Sequence, residues 1–196
     1  MTDCGCPVEG ANSAPERRTI RIALALNFAM FIFGTIAGLV AQSSALLADA
    51  LDMLADAAAY GIALTAIERT TAFKRRAALT SGLILAALGL SVIGDTIRRT
   101  VVGSEPEGWI MIGAATLSLI VNVTVLRMLA RFRTGEVHLR ASWIFTRVDV
   151  IANLGVIGAA TVVMVTSSRI PDLLIGLAIG VYVVKEALEI LRDARM

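Results

Sequence analysis

The chain has 196 residues, 57% of them hydrophobic, and a mean hydropathy of +0.77. Soluble domains contain about 45–50% apolar residues, so this composition excludes an ordinary soluble fold and indicates a polytopic membrane protein. The formal net charge is only +2, which excludes the strongly basic surface typical of nucleic-acid-binding proteins.

Residues 1–19 are polar and are predicted to form a disordered cytoplasmic tail. The tail contains Cys4 and Cys6, which are too close together for an unstrained disulfide. Two reduced thiols are the favoured interpretation, and capture of soft metal ions is the alternative. The first apolar run begins near Ile20 and is too long for the core of a signal peptide, so it predicts a retained membrane helix.

Six apolar segments follow in chain order, each about 20 residues long, the length needed to cross a hydrocarbon core about 30 Å thick. The predicted spans are 20–41, 44–67, 77–97, 108–130, 141–166 and 170–190. Residues 20–191 are therefore predicted to form one all-α, six-helix transmembrane domain, and residues 192–196 a short cytoplasmic tail. No separate soluble domain is expected.

The distribution of Lys and Arg predicts the orientation, because these residues collect on the cytoplasmic side of a membrane protein. Only Arg98, Arg99 and Arg169 fall on one side of the predicted spans, and most of the others fall on the opposite side. Both termini are therefore predicted to be cytoplasmic, in a multi-pass protein of the cytoplasmic (inner) membrane. Asp95, near the outer end of the third span, is expected to pair with Arg98 or Arg99.

The second span carries three aspartates, Asp49, Asp52 and Asp56. Each carboxylate in mid-membrane costs about 2.5–3.5 kcal/mol on insertion scales. Their spacing of three and then four residues puts all three on one helical face. Asp52 and Asp56 are candidates for binding a cation or protons. Asp49 lies one turn nearer the outer face, and its two interpretations are access to the site and a structural hydrogen bond to a neighbouring helix.

The fifth span supplies a second acidic element, Asp149, with Asn153 one turn away on the same face. Helical rise puts Asp149 about 18 Å from the outer edge of the membrane, and Asp52 and Asp56 about 14 and 20 Å from it. The antiparallel second and fifth spans therefore bring the carboxylates to one level. Asn153 could complete the ligand set or could hydrogen bond between helices.

Three carboxylates and an amide at one depth form an oxygen-rich pocket, and oxygen ligands suit divalent cations. Ionised carboxylates this close repel one another, so the metal-free pocket is expected to hold protons. Because a divalent ion would displace those protons, exchange of metal for protons follows from the chemistry.

These residues resemble two motifs of the cation diffusion facilitator family. Ser43 through Asp56 fits the second-span pattern Ser-x-x-Leu-Leu-x-Asp-Ala-x-[His/Asp]-x-x-x-Asp, with Asp52 and Asp56 at the ligand positions. In the fifth span, Asp149, Asn153 and the run Gly155-Val156-Ile157 fit the second motif. The resemblance covers all six spans in the expected order.

The resemblance implies a secondary transporter that exports a divalent cation of the Zn, Co, Cd, Mn or Fe class from the cytoplasm in exchange for protons. It implies the metal ligands Asp52, Asp56, Asp149 and Asn153, and a homodimer in the lipid bilayer. Two departures stand out: Phe145 occupies the position of a usual ligand His, and the family's cytoplasmic C-terminal domain is missing. The chain is therefore expected to be a short, membrane-only member.

Two other classes of function compete with transport. A non-transporting membrane partner or regulator with a degenerate metal site would account for Phe145 and for the missing domain. An intramembrane hydrolase could use Asp56 and Asp149 as an acid–base pair, but the chain has no Gly-x-Gly-Asp-type element near either residue. We therefore expect a protein that is not an enzyme.

Overall fold

The structure, a computed structural model, describes residues 14–66, 71–130 and 137–194. All of its regular elements are helices: α1 (Ala14–Val40), α2 (Ser44–Ala66), α3 (Thr71–Val102), α4 (Gly108–Leu129), α5 (Val137–Thr166) and α6 (Ile170–Asp193). Residues 14–19, predicted to belong to the tail, form the start of α1, where Pro15 suits a first helical turn. The predictions for residues 1–13, including Cys4 and Cys6, lie outside the described residues.

Four of the six predicted spans correspond to helical segments that are long and apolar enough to cross a membrane: Arg17–Val40, Arg75–Val102, Gly108–Leu129 and Thr146–Thr166. Helices α2 and α6 contain 23 and 24 residues, about 35 Å each, so they are long enough to cross. Every 18-residue stretch of α2 and of α6 contains at least three charged residues, whereas each of the other four helices has such a stretch with at most two. Their crossing of the membrane, and the cytoplasmic position of the termini, stay predictions.

Polarity is arranged as expected for a bundle in lipid. Large apolar side chains project outward from the bundle, among them Ile36, Leu83, Ile120 and Ile151. The interior instead contains buried polar side chains, including Asn27, Asp49, Asp52, Asn122, Asp149 and Asn153. Because lipid solvates polar groups poorly, these side chains must find their partners inside the bundle.

Helix α2 is the centre of the bundle and contacts all five other helices. Small residues allow this close approach: a side chain at Gly38 of α1 would meet Leu47 at 2.9 Å, and one at Gly176 of α6 would meet the backbone of Ser44 at 2.6 Å. The two glycines thus let α1 and α6 lie directly against α2. The residues that α2 carries are consequently presented to the whole bundle.

The tight turn between α1 and α2 caps the C-terminal end of α1. Gln42 has a φ of 49°, and the Ser43 N–H donates to the Gly38 carbonyl at 3.0 Å while the Gln42 N–H donates to Leu39 at 3.3 Å. This pair of bonds is the Schellman pattern, which satisfies the last carbonyls of α1. The chain therefore reverses direction within a few residues and starts α2 against α1.

The first turn of α2 is capped by a carboxylate from α6. Asp172, fully buried, accepts hydrogen bonds from the Ser43 hydroxyl at 2.5 Å and from the backbone N–H groups of Ser44 and Ala45 at 2.9 and 3.1 Å. The Ser43 hydroxyl oxygen also accepts the Leu46 N–H at 3.0 Å. The free N–H groups at the start of a helix are thereby satisfied, and the negative charge lies at the positive end of the helix dipole.

A second ionic contact supports the same end of the bundle. Arg99 of α3 is buried and donates to the Gln42 carbonyl and to Asp95, the latter at 2.5 Å. Arg98 also pairs with Asp95, at 2.7 Å, so the predicted pairing of this aspartate is confirmed. Helix α3 is thus tied to the α1–α2 turn.

Replacing Asp172 with Ala should destabilise the protein by about 2–3 kcal/mol, because it leaves two buried N–H groups and a hydroxyl unpaired. Thermal unfolding of the purified protein in detergent measures the effect as a lowered melting temperature. Glu105→Ala, at an exposed acidic residue in the α3–α4 connection, is the matched control. Equal melting temperatures for the two variants would contradict the capping role.

Candidate metal centre

Helices α2 and α5 bring three of the predicted site residues together. Asp52 and Asp149 are buried, with only 7% and 4% of their surface exposed, and Asp56 is half-buried. The carboxyl group of Asp149 lies close to those of both Asp52 and Asp56 and interacts electrostatically with them. The antiparallel helices thus place these three carboxyls at one level, as the depth comparison predicts.

Neighbouring ionised carboxylates repel one another, and two carboxyls can hydrogen bond only if one of them carries a proton. In addition, the Oδ2 atom of Asp149 is buried without a hydrogen-bond partner in the described structure. A buried carboxylate oxygen with no donor is costly. The arrangement therefore requires protons, or a cation, to compensate the acidic groups.

A fourth acid, Glu186 of α6, lies beside this group and was missed by the sequence analysis. Among charged groups, it has the strongest electrostatic interaction with both Asp52 and Asp56, and it also interacts with Asp149. Tyr182, one turn earlier on α6, lies close to Glu186 and interacts with its carboxyl group.

The sequence contained a weak signal for Glu186. It lies near the predicted cytoplasmic end of the sixth span, among Lys185 and Glu189, where charged residues are usually read as interfacial. Lys185 and Glu189 are exposed and pair with each other at 3.6 Å, whereas Glu186 and Tyr182 share a half-buried face. The four-residue spacing of Tyr182 and Glu186 was the available clue.

Asp49 belongs to a different set of contacts from Asp52 and Asp56. Its carboxylate accepts hydrogen bonds from the Ser118 hydroxyl of α4 at 2.9 Å and from the Asn153 amide of α5 at 2.5 Å. Of the two sequence-based interpretations of Asp49, the structure favours the interhelical hydrogen bond. These contacts join α2, α4 and α5 beside the acidic cluster, by which we mean Asp52, Asp56, Asp149 and Glu186.

Both ends of the Asn153 amide are engaged in this structure. Its nitrogen donates to Asp49, and its oxygen accepts from the Asn122 amide of α4 at 3.0 Å. The assignment of Asn153 as a metal ligand stays a prediction, since the amide must leave these partners to reach a cation. The sequence allowed Asn153 to be a metal ligand or to hydrogen bond between helices, and the observed contacts are hydrogen bonds between helices.

Within the described residues, no group of three or more His, Cys, Asp or Glu side chains is already arranged around a single metal ion. Binding a cation would therefore require the carboxyl groups of the acidic cluster to turn toward a common centre. The side chains of Phe145 and His138 lie outside the described residues.

Known proteins similar to this chain are cation transporters by name. The chain is 28% identical to "Metal cation efflux system protein CzcD" of Cupriavidus metallidurans over 191 residues, covering 91% of this chain and 60% of that protein. It is 24% identical to "Zinc transporter ZitB" of Escherichia coli, covering 90% and 61%. It is 25% identical to the "Cadmium, cobalt and zinc/H(+)-K(+) antiporter" of Bacillus subtilis, covering 95% and 63%.

The chain thus spans about six tenths of the length of these relatives. The family defined by the cation efflux transmembrane domain matches residues 20–195, which include all the helices that contribute to the acidic cluster. The resemblance found in the two aspartate motifs is thereby confirmed. The chain belongs to the family of proteins with a cation efflux transmembrane domain.

Proposed function

We propose that the protein is a secondary transporter that exports a divalent cation from the cytoplasm in exchange for protons. The observation that carries the proposal is the convergence of Asp52 and Asp56 of α2 with Asp149 of α5 in the interior of the bundle. Family membership supports cation efflux, and the name of the Bacillus subtilis relative includes proton antiport. In this proposal α2 and α6 also cross the membrane, and both termini are cytoplasmic.

Protons and metal would occupy the acidic cluster alternately. With protons bound, the neighbouring carboxyls of Asp52, Asp56 and Asp149 can hydrogen bond to one another instead of repelling. A divalent cation needs the ionised carboxylates as ligands, so it binds only when protons leave. Alternating exposure of this cluster to the two sides of the membrane would then couple the opposite fluxes.

The protein is proposed to act as a homodimer in the inner membrane. The extensive outward-facing apolar surface of the bundle suits lipid or a second copy. Metal ions and protons are the transported substrates, and the proposed mechanism includes no catalytic residue.

Asp52→Asn and Asp149→Asn should each weaken divalent-metal binding by about 100-fold or more, because each removes an ionised ligand. Calorimetry on the purified protein with Zn²⁺, Co²⁺, Cd²⁺ and Mn²⁺ measures this. Titrations in buffers of different ionisation enthalpy should reveal proton release by the wild type. Asp95→Asn, at an ion pair away from the cluster, should bind metal like the wild type.

Two results would count against transport. A folded wild-type protein that binds none of these ions would favour the non-transporting partner. Metal binding without proton release would contradict the proposed exchange, even if the aspartate variants lost affinity.

Asn153→Ala and Ser118→Ala form a matched pair, because each removes one donor to the buried Asp49 carboxylate. We expect both variants to lose about 1–3 kcal/mol of stability while keeping metal affinity within about threefold of the wild type. Thermal unfolding and calorimetry on the same samples measure the two quantities. A tenfold loss of affinity in Asn153→Ala alone would instead make Asn153 a ligand.

A further inference from the structure

We propose that Glu186 of α6 is a fourth oxygen donor to the transported cation, and that the resulting carboxylate site favours Mn²⁺ over Zn²⁺ relative to a site of three aspartates. The inference rests on the proposed function and extends it to the identity of the metal. It adds a residue from a third helix to the two that carry the family motifs.

The position of Glu186 is the first support. Its neighbour Ala187 packs in one buried cluster with Ala55 of α2, which lies between Asp52 and Asp56. Glu186 therefore lies at the level of these aspartates, and it interacts electrostatically with Asp149 as well. Helix α6 packs directly against α2 and α5, the two helices that supply the aspartates. Tyr182, one turn earlier on the same half-buried face of α6, lies beside the Glu186 carboxyl.

An unsatisfied atom within the cluster is the second, independent support. Asp149 is only 4% exposed, and its Oδ2 atom has no hydrogen-bond partner in the described residues. The strongest interactions of Asp52, Asp56 and Asp149 with charged groups are all with other acids. A cation between these carboxyls would satisfy the orphan oxygen and relieve the repulsion together.

The chemistry of the donors determines the preferred metal. Zn²⁺ favours Cys sulfur and His nitrogen, whereas carboxylate oxygens suit Mg²⁺, Ca²⁺ and Mn²⁺. The whole chain contains one histidine and two cysteines, and none is among the residues of the acidic cluster. A fourth carboxylate also adds negative charge, which strengthens binding of hard divalent cations.

The test uses the full chain, purified in detergent, with MnCl₂ and ZnCl₂ as the probes. Glu186→Gln should weaken Mn²⁺ binding by about tenfold or more and reduce the preference for Mn²⁺ over Zn²⁺. Glu189→Gln is the matched control, because Glu189 lies on the same helix but is exposed and paired with Lys185, and it should bind like the wild type. Calorimetry gives the affinities, and the Mn²⁺ electron paramagnetic resonance signal reports free ion independently.

Glu186→His supplies a gain-of-function readout that a merely unstable variant could not produce. It replaces an oxygen donor with a nitrogen donor, so the ratio of Zn²⁺ to Mn²⁺ affinity should rise by about tenfold or more. An unchanged ratio in a folded Glu186→His protein would overturn the inference.

The aspartate variants separate failure of this inference from failure of the proposed function. If Asp149→Asn loses metal while Glu186→Gln matches Glu189→Gln, Glu186 is not a ligand and the transport proposal stands. If the folded wild type binds neither ion, the proposed function fails and the role of Glu186 fails with it.

Discussion

The structure depends on one constraint: the central helix of an apolar bundle carries carboxyl groups that lipid cannot solvate. Helix α2 contacts every other helix, so its aspartates can be compensated only by groups that those helices bring. Burying an unpaired charge costs several kcal/mol. The positions of α4 and α5 around α2 are therefore tied to the hydrogen-bond donors that they bring to Asp49.

Asp49 and Asp52 are the same type of residue on the same helix, but the side chains around each of them give them different roles. Asp49 and Asp52 are both buried on α2 and lie one turn apart. Asp49 meets a hydroxyl and an amide, which donate hydrogen bonds and satisfy the charge. Asp52 instead meets further carboxyls, which require a proton or a cation. The first environment is structural, and the second is suited to exchange.

Much of the fold and the centre of the site could be predicted from the sequence, and the reasons are physical. Four helices are apolar along most of their length, and helical rise fixes depth, so Asp52, Asp56 and Asp149 could be placed at one level. Rise does not fix rotation about the helix axis. The partners of Asn153 and the approach of Glu186 depend on that rotation, and neither could be derived from spacing alone.

The cap on α2 has a mechanical consequence. Asp172, which closes the first turn of α2, and Glu186, which approaches the carboxyls farther along the bundle, belong to the same helix. Three hydrogen bonds of Asp172 thus hold the start of α6 against α2. Farther along α6, Glu186 lies beside Asp52 and Asp56 of α2, and these carboxyl groups repel one another when they are ionised. Two helices joined at one end separate most easily at the other end. Loss of protons from the acidic residues would therefore rotate α6 away from α2 about the hydrogen bonds of Asp172.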